Sequence, residues 1–206
     1  MKLKFCGIRR DQDIEYVNIT RPDYIGFVFA PSRRYISPDE AAELSLKIRP
    51  EIKKAGVFVN ETPENILNTA AKAKLDIIQL HGDEDGEFIK SLRYRTDCEI
   101  WKAVRVRDSG DIQRADMMNA DKLLLDSFSQ SQYGGTGKTA DWEIIKQTPV
   151  KTPFFIAGGL NEHNILSAVS ELSPFGLDIS GGIETEGTKD LNKMKKIIDL
   201  LERNDY

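Results

Sequence analysis

Lys4-Phe5-Cys6-Gly7-Ile8 ends a short apolar run with a cysteine and places a glycine directly after it. The same order, a short β-branched or aromatic run followed by a turn and a longer amphipathic stretch, recurs along the chain. The predicted strands are Lys2–Cys6, Tyr24–Phe29, Lys54–Val59, Asp76–Leu80, Glu99–Val104, Lys122–Leu125, Pro153–Ala157 and Phe175–Ile179. The predicted helices are Gln12–Ile19, Asp39–Ile48, Thr62–Leu75, Asp85–Arg93, Ser109–Met118, a brief helix near Trp142, Asn161–Leu172 and Asp190–Glu202.

Two of these helices have a recognisable first residue. Ser37 is the predicted N-cap of the second helix, because Pro38 follows it and Glu40 stands three residues after it. Asn161 is the predicted N-cap of the seventh helix.

The eight strand–helix cycles follow one another without a linker, a low-complexity tract or a change in composition. Alternating strands and helices predict a parallel sheet. Eight cycles predict a closed (β/α)8 TIM barrel, an α/β fold in which residues 1–206 form a single domain. An open doubly wound sheet is the alternative, although such sheets usually have five or six strands. In a barrel the active site lies at the C-terminal ends of the strands.

The composition excludes several classes of function. The chain has 206 residues, of which 40% are hydrophobic and 30% are charged. It contains 29 Lys and Arg residues and 33 Asp and Glu residues. The net charge of −4 does not suit a nucleic-acid partner. No apolar run approaches the roughly 20 residues that span a bilayer, and no signal-peptide core is present, so a cytoplasmic protein is expected. Two cysteines and two histidines without zinc-like spacing predict no metal site.

Two glycine pairs follow the last two predicted strands. Gly158-Gly159 comes after the seventh strand, and Ser180-Gly181-Gly182 comes after the eighth. In phosphate-binding barrels, backbone N–H groups of these two loops hold the phosphate. Tight turns alone would also explain the glycines, but two pairs at the two expected loops favour a phosphate site.

Cys6 and Asp126 lie at the predicted C-terminal ends of two apolar strands. A carboxyl group beside an apolar barrel interior tends to have a raised pKa, which suits a general acid near neutral pH. A thiolate can accept a proton or attack a carbonyl group. Taken alone, Asp126 could equally cap the next loop, and Cys6 could be a small buried hydrophobic residue.

Three further segments follow predicted strands. Arg33-Arg34 comes after the second strand, where an arginine suits a carboxylate, although arginine pairs are more often solvated on the surface. His81 follows the fourth strand. Gly134-Gly135-Thr136-Gly137 follows the sixth strand and could form either a lid or a plain surface loop.

Several segments, in this order, form a specific set that covers nearly the whole chain. They are Lys4-Phe5-Cys6-Gly7-Ile8, Gly26-Phe27-Val28-Phe29, Ser32-Arg33-Arg34-Tyr35-Ile36-Ser37, Gly56-Val57-Phe58-Val59-Asn60, Gln79-Leu80-His81-Gly82, Leu125-Asp126, Gly134-Gly135-Thr136-Gly137-Lys138-Thr139, Asp141-Trp142, Ala157-Gly158-Gly159-Leu160-Asn161 and Asp178–Glu184. The set resembles the phosphoribosylanthranilate isomerases of tryptophan biosynthesis. The family often has Ser-Ser-Gly where this chain has Ser180-Gly181-Gly182, so a hydroxyl contact at position 181 is lost.

The resemblance implies an Amadori rearrangement of N-(5'-phosphoribosyl)anthranilate to 1-(2-carboxyphenylamino)-1-deoxyribulose 5-phosphate, without a cofactor or a metal. It implies that Asp126 is the general acid and Cys6 the general base. Arg34 matches the residue that faces the anthranilate carboxylate, and His81 and Asp178 match positions near the substrate. The two glycine loops match the phosphate site. A phosphosugar–anthranilate substrate is therefore the expected partner, bound to a monomer or a homodimer.

Two other functions stay open. Another sugar-phosphate barrel, such as an indole-glycerol-phosphate synthase, would need a catalytic lysine–glutamate set. A non-catalytic phosphosugar-binding barrel would bind the product or an analogue without turnover.

Overall fold

A closed parallel barrel forms the centre of the molecule, in a computed structural model that describes residues 1–126 and 141–206. The barrel strands are β1 Lys2–Cys6, β2 Tyr24–Val28, β3 Lys53–Phe58, β4 Ile77–Leu80, β5 Glu99–Arg105, β6 Lys122–Asp126, β7 Phe154–Ala157 and β8 Gly176–Ile179. The helices are α1 Asp11–Thr20, α2 Pro38–Ser45, α3 Pro63–Lys72, α4 Gly86–Arg93, α5 Ser109–Asp116, α6 Asp141–Gln147, α7 Ile165–Leu172 and α8 Leu191–Glu202. The predicted TIM barrel is confirmed, with each strand paired in parallel to its sequence neighbours and β8 paired to β1.

Side-chain capping sets where most helices begin. The predicted cap at Ser37 is confirmed, since its hydroxyl accepts from the Glu40 N–H at 3.3 Å and its own N–H donates to the Glu40 carboxylate at 3.0 Å. The predicted cap at Asn161 is wrong. The Asn161 amide oxygen instead accepts from the His163 N–H at 2.9 Å, which closes a turn, and α7 begins only at Ile165.

Strand alternation divides the apolar residues into two layers. A large cluster lies between the strands and the helices and includes Leu3 and Phe5 of β1. A smaller cluster fills the barrel interior, where the rings of Tyr24, Trp101 and Phe155 pack with centroids 4.7–5.7 Å apart. This aromatic floor closes the interior, so the open cavity lies toward the C-terminal ends of the strands.

Two elements after β8 were not predicted from the sequence. A short 3-10 turn spans Gly181–Ile183, and the two-stranded hairpin of β9 Glu184–Thr185 and β10 Thr188–Lys189 follows it. The hairpin returns the chain to the barrel mouth before α8. Among the described residues, none of the helices has both the length and the apolar character needed to cross a bilayer.

Candidate active site

One cavity of about 760 Å³ opens at the C-terminal ends of the strands. Its size suits a small organic ligand. All ten site residues predicted from the sequence line it: Cys6, Arg34, His81, Asp126, Gly158, Gly159, Asp178, Ser180, Gly181 and Gly182. The barrel therefore brings together residues that are up to 176 positions apart in the chain.

The Cys6 thiol lies at the end of β1, buried against the neighbouring strand. A Cβ atom added to Gly26 of β2 would lie 2.7 Å from the Cys6 Sγ and 3.1 Å from the Lys4 Nζ. Glycine at this position therefore makes room for both groups. The Ser180 hydroxyl donates to the Cys6 carbonyl oxygen at 2.9 Å, which ties the loop after β8 to the end of β1.

The charges around Cys6 have opposite effects on the pKa of its thiol. Burial raises the pKa of the Cys6 thiol above its usual range, and the nearby Asp178 carboxylate raises it further. Lys4 and Lys189 lower the pKa of Cys6, but not enough to overcome burial. The thiolate form of Cys6 therefore depends on the cations that face it.

Asp126 ends β6, and His81 follows β4. The His81 Nε2 atom lies 3.8 Å from the Asp126 Oδ2 atom, and its Nδ1 atom lies 3.4 Å from the Gln79 amide nitrogen. If the amide donates to Nδ1, the neutral His81 ring presents its Nε2–H toward Asp126. His81 thus lies beside the predicted acid.

The two glycine loops pack directly on each other. Gly158 and Gly159 have positive φ angles of 91° and 66°, a conformation that glycine adopts without strain. A Cβ atom at Gly182 would lie 1.9 Å from the Leu160 carbonyl oxygen, so only glycine fits there. Because the Ser180 hydroxyl donates to Cys6, backbone N–H groups are the donors that these loops offer to an anion.

Arg34 is held at the rim of the cavity by Glu184. The Arg34 Nε and Nη2 atoms donate to the two Glu184 carboxylate oxygens at 2.7 and 2.9 Å. Arg33 and Lys189 also bind this carboxylate, each at 2.9 Å. Burial of Glu184 alone would raise its pKa, but the hydrogen bonds from Arg34 and Lys189 lower the pKa to about 2. Glu184 occupies two of the five Arg34 N–H groups, and an arginine held in this way can still donate to a second carboxylate.

Four residues near the site were not predicted from the sequence to be site residues: Lys4, Gln79, Glu184 and Lys189. Lys4 and Gln79 each stand two positions before a predicted site residue, so strand alternation could have placed them on the interior face. Glu184 and Lys189 belong to the small hairpin, for which the sequence carries no clear turn or strand pattern. The glycine-rich segment 134–137 lies outside the described residues.

At the barrel mouth, the two glycine loops lie between the Asp126 carboxyl group and the Cys6 thiol. In the closed barrel, β7 and β8 lie between β6, which carries Asp126, and β1, which carries Cys6. An anion on the glycine loops would therefore sit between the carboxyl and the thiol. Arg34, in the loop after β2, lies on the other side of Cys6.

Comparison with known proteins places the chain in one family. A family model described as N-(5'phosphoribosyl)anthranilate (PRA) isomerase matches residues 3–200. The chain is 43% identical to an N-(5'-phosphoribosyl)anthranilate isomerase of Thermoanaerobacter sp. (strain X514), with 97% of each chain covered. It resembles the crystal structure of the Thermotoga maritima isomerase with a TM-score of 0.86 and 36% identity, covering 98% and 99% of the chains.

A second solved structure is relevant to the ligand. It is phosphoribosyl anthranilate isomerase in complex with reduced 1-(o-carboxyphenylamino)-1-deoxyribulose 5-phosphate. The chain is similar to it with a TM-score of 0.83 and 33% identity, covering 98% of this chain and 99% of that one.

Proposed function

The chain belongs to the family of N-(5'-phosphoribosyl)anthranilate isomerases, and we propose that it rearranges N-(5'-phosphoribosyl)anthranilate with Asp126 as general acid and Cys6 as general base. The observation that carries the proposal is that one cavity holds both groups on either side of the two glycine loops. An Amadori rearrangement needs an acid acting on the ring oxygen and a base acting on C2, two atoms that are both bonded to C1, and the proposal assigns these roles to Asp126 and Cys6.

The reaction divides into an acid step and a base step. Asp126 protonates the ribose ring oxygen, so the ring opens and a protonated Schiff base forms at C1. The positive imine acidifies the proton on C2. The Cys6 thiolate accepts that proton, and the electron pair of the C–H bond forms the C1–C2 double bond of an enolamine. The enolamine then tautomerises to the aminoketone 1-(2-carboxyphenylamino)-1-deoxyribulose 5-phosphate.

The remaining site residues hold the two ends of the substrate. Backbone N–H groups of Gly158-Gly159 and of Ser180-Gly181-Gly182 bind the phosphate. The Arg34 guanidinium, oriented by Glu184, binds the anthranilate carboxylate with the N–H groups that Glu184 does not use. His81 lies next to Asp126 and orients that carboxyl group toward the sugar ring.

Neither alternative function has an observation in its favour. A synthase of the indole-glycerol-phosphate type would need a lysine and a glutamate in the cavity, and the described residues that line it include neither. A purely binding barrel would not need a thiol and a carboxyl group on opposite sides of a phosphate site. The cytoplasmic location of the protein stays a prediction. Its assembly as a monomer or a homodimer also stays a prediction, which sedimentation velocity would test.

Turnover measurements test the proposal. The substrate is generated in situ, and its loss is followed by the fluorescence of the anthranilate adduct. Cys6→Ala and Asp126→Ala should each lower kcat by about 10²–10⁴-fold, the usual contribution of general acid–base catalysis. Binding of the reduced product analogue should remain. A variant that kept a near-normal rate would overturn the role assigned to that residue.

A further inference from the structure

Lys4 is a fully buried lysine inside the barrel, two residues before Cys6 on β1. Strand alternation places Lys4 and Cys6 on the same interior face, while Leu3 and Phe5 face the outer apolar layer. Both carboxylate oxygens of Asp178 accept from the Lys4 Nζ atom, at 3.1 and 3.0 Å. The desolvation cost of a buried ammonium group can exceed what its ion pair returns, so the position of Lys4 needs an explanation.

The Lys4 ammonium lies directly beside the Cys6 thiol. Both groups border the space that a side chain at Gly26 would occupy, with the Cys6 Sγ at 2.7 Å and the Lys4 Nζ at 3.1 Å from the same point. At most about 6 Å therefore separates Sγ from Nζ. At this distance, inside protein, a positive charge strongly favours a thiolate over a thiol.

Among residues 1–126 and 141–206, four charged residues face Cys6 from different elements. Asp178 comes from β8, Lys189 from the hairpin after β8, Arg34 from the loop after β2 and Lys4 from β1. Of the cations, Lys4 lowers the pKa of Cys6 the most, against the effects of burial and of Asp178. Burial would lower the pKa of Lys4 itself, but Asp178 and Cys6 raise it above its usual range, so Lys4 keeps its charge.

We propose that Lys4 is a positioning residue that stabilises the Cys6 thiolate, and that Asp178 holds the Lys4 ammonium in place for this purpose. The inference rests on the proposed role of Cys6 as the base. When the thiolate takes the C2 proton of the substrate, an S–H bond forms and the C–H electron pair stays on the sugar. Lys4 keeps its own protons throughout and does not contact the reacting atoms.

The rate of Cys6 alkylation by iodoacetamide, measured against pH, tests the proposal without substrate. A Cys98→Ser background removes the second thiol, so that all reaction reports on Cys6. Lys4→Met should move the midpoint of the alkylation profile upward by about one pH unit or more, which lowers the thiolate fraction near neutral pH about tenfold. Lys4→Arg keeps a positive charge beside the thiol, so its midpoint should stay closer to that of the parent protein than the Lys4→Met midpoint does.

The two variants separate an electrostatic role from a structural one, because loosened packing alone would raise the midpoint in Lys4→Arg as much as in Lys4→Met. The pH dependence of kcat should shift with the alkylation midpoint. A midpoint that Lys4→Met leaves unchanged, or that Lys4→Arg raises as far as Lys4→Met does, would overturn the proposal. If Lys4→Met does not fold, Lys4→Gln, which is neutral and can still donate to Asp178, is the deciding variant, and an unchanged midpoint there overturns the proposal.

The alkylation experiment also keeps the two proposals apart. If Cys6 is not the base, Cys6→Ala retains turnover, whatever the alkylation profile shows. If only the role of Lys4 is wrong, Cys6→Ala loses turnover while the Lys4→Met midpoint stays where it is in the parent protein.

Discussion

Two buried lysine–carboxylate pairs in this barrel have different surroundings. Lys4 and Asp178 pair at 3.0 Å inside the barrel, and Lys102 and Glu84 pair at 2.9 Å between β5 and the loop after β4. In all four residues no more than 8% of the side chain is exposed. By distance and burial alone the two pairs are nearly the same.

The remaining hydrogen bonds distinguish them. The Glu84 carboxylate also accepts from the N–H groups of Asn60 and Gly82 at 2.8 and 2.9 Å, and Lys102 donates to the Gly82 carbonyl at 2.6 Å. The outer pair thus joins two strand-end loops to β5. Among the described residues, the Lys4 ammonium donates to both Asp178 carboxylate oxygens, and its next neighbour is the Cys6 thiol, which lines the cavity. Of these two pairs, it is Lys4–Asp178 that has a reactive group as its next neighbour.

The largest expected effect that tests this comparison is on stability. Lys102→Met leaves the buried Glu84 carboxylate without its cation, so the free energy of unfolding should fall by about 3–5 kcal/mol. Urea unfolding measures the change. The same variant should leave kcat/KM and the pH midpoint of Cys6 alkylation unchanged, because Lys102 lies on the outer face of β5. A shift in that midpoint would break the distinction between the two pairs.

A smaller effect, on KM, is expected at Glu184, which holds Arg34 at the rim of the cavity. Glu184→Gln removes the charge that orients the guanidinium, so KM for the anthranilate substrate should rise about tenfold, as for the loss of a charged hydrogen bond. Initial rates at varied substrate concentration give this value. Asp111→Asn is the matched control, since Arg107 and Arg114 hold Asp111 away from the cavity. An unchanged KM in Glu184→Gln would remove Glu184 from the substrate site.

The Glu184 and Asp111 carboxylates should change the dependence of the unfolding free energy on acid pH in the same way. Hydrogen bonds from arginine hold the pKa of Asp111 at about 2, below its ordinary 3.8, and the pKa of Glu184 at about 2, below its ordinary 4.5. Each ionised carboxylate therefore contributes stability above its ordinary pKa, and that contribution is lost as the pH falls toward about 2. The unfolding free energy of each variant should fall less than that of the parent protein between about pH 5 and 2.

The smallest effect on KM is expected at Gly181, where the chain has glycine and the family often has serine. A Cβ atom at Gly181 would lie 3.6 Å from the Arg34 Nη2 atom, which is an ordinary contact. Gly181→Ser should therefore fold normally and change KM by less than about fivefold, the effect of one neutral hydrogen bond. Gly182→Ala is the contrasting variant, because its Cβ atom would meet the Leu160 carbonyl oxygen at 1.9 Å. A large loss of binding in Gly181→Ser would show that the phosphate loop cannot accept a side chain.

Much of the site could be predicted, because it follows from local sequence patterns and one rule about barrels. Cys6 and Asp126 were found as strand ends, and the glycine loops as the turns after β7 and β8. The start of α7 was mispredicted because the side chain of Asn161 closes a turn instead of capping a helix. Glu184 was missed because its importance comes from contacts with Arg33 and Arg34, which lie 151 and 150 residues away.

The sequence by itself determined the eight strand–helix cycles, their order and the residues at the strand ends, because periodicity and turn chemistry act over a few neighbouring residues. Only the tertiary structure decided which charges meet. Closure of the barrel pairs β8 with β1 and so brings Asp178 onto Lys4 across 174 residues, beneath the thiol of Cys6. The pKa of that thiol depends on burial and on charges from several strands, so a pattern of residues along the chain does not determine it.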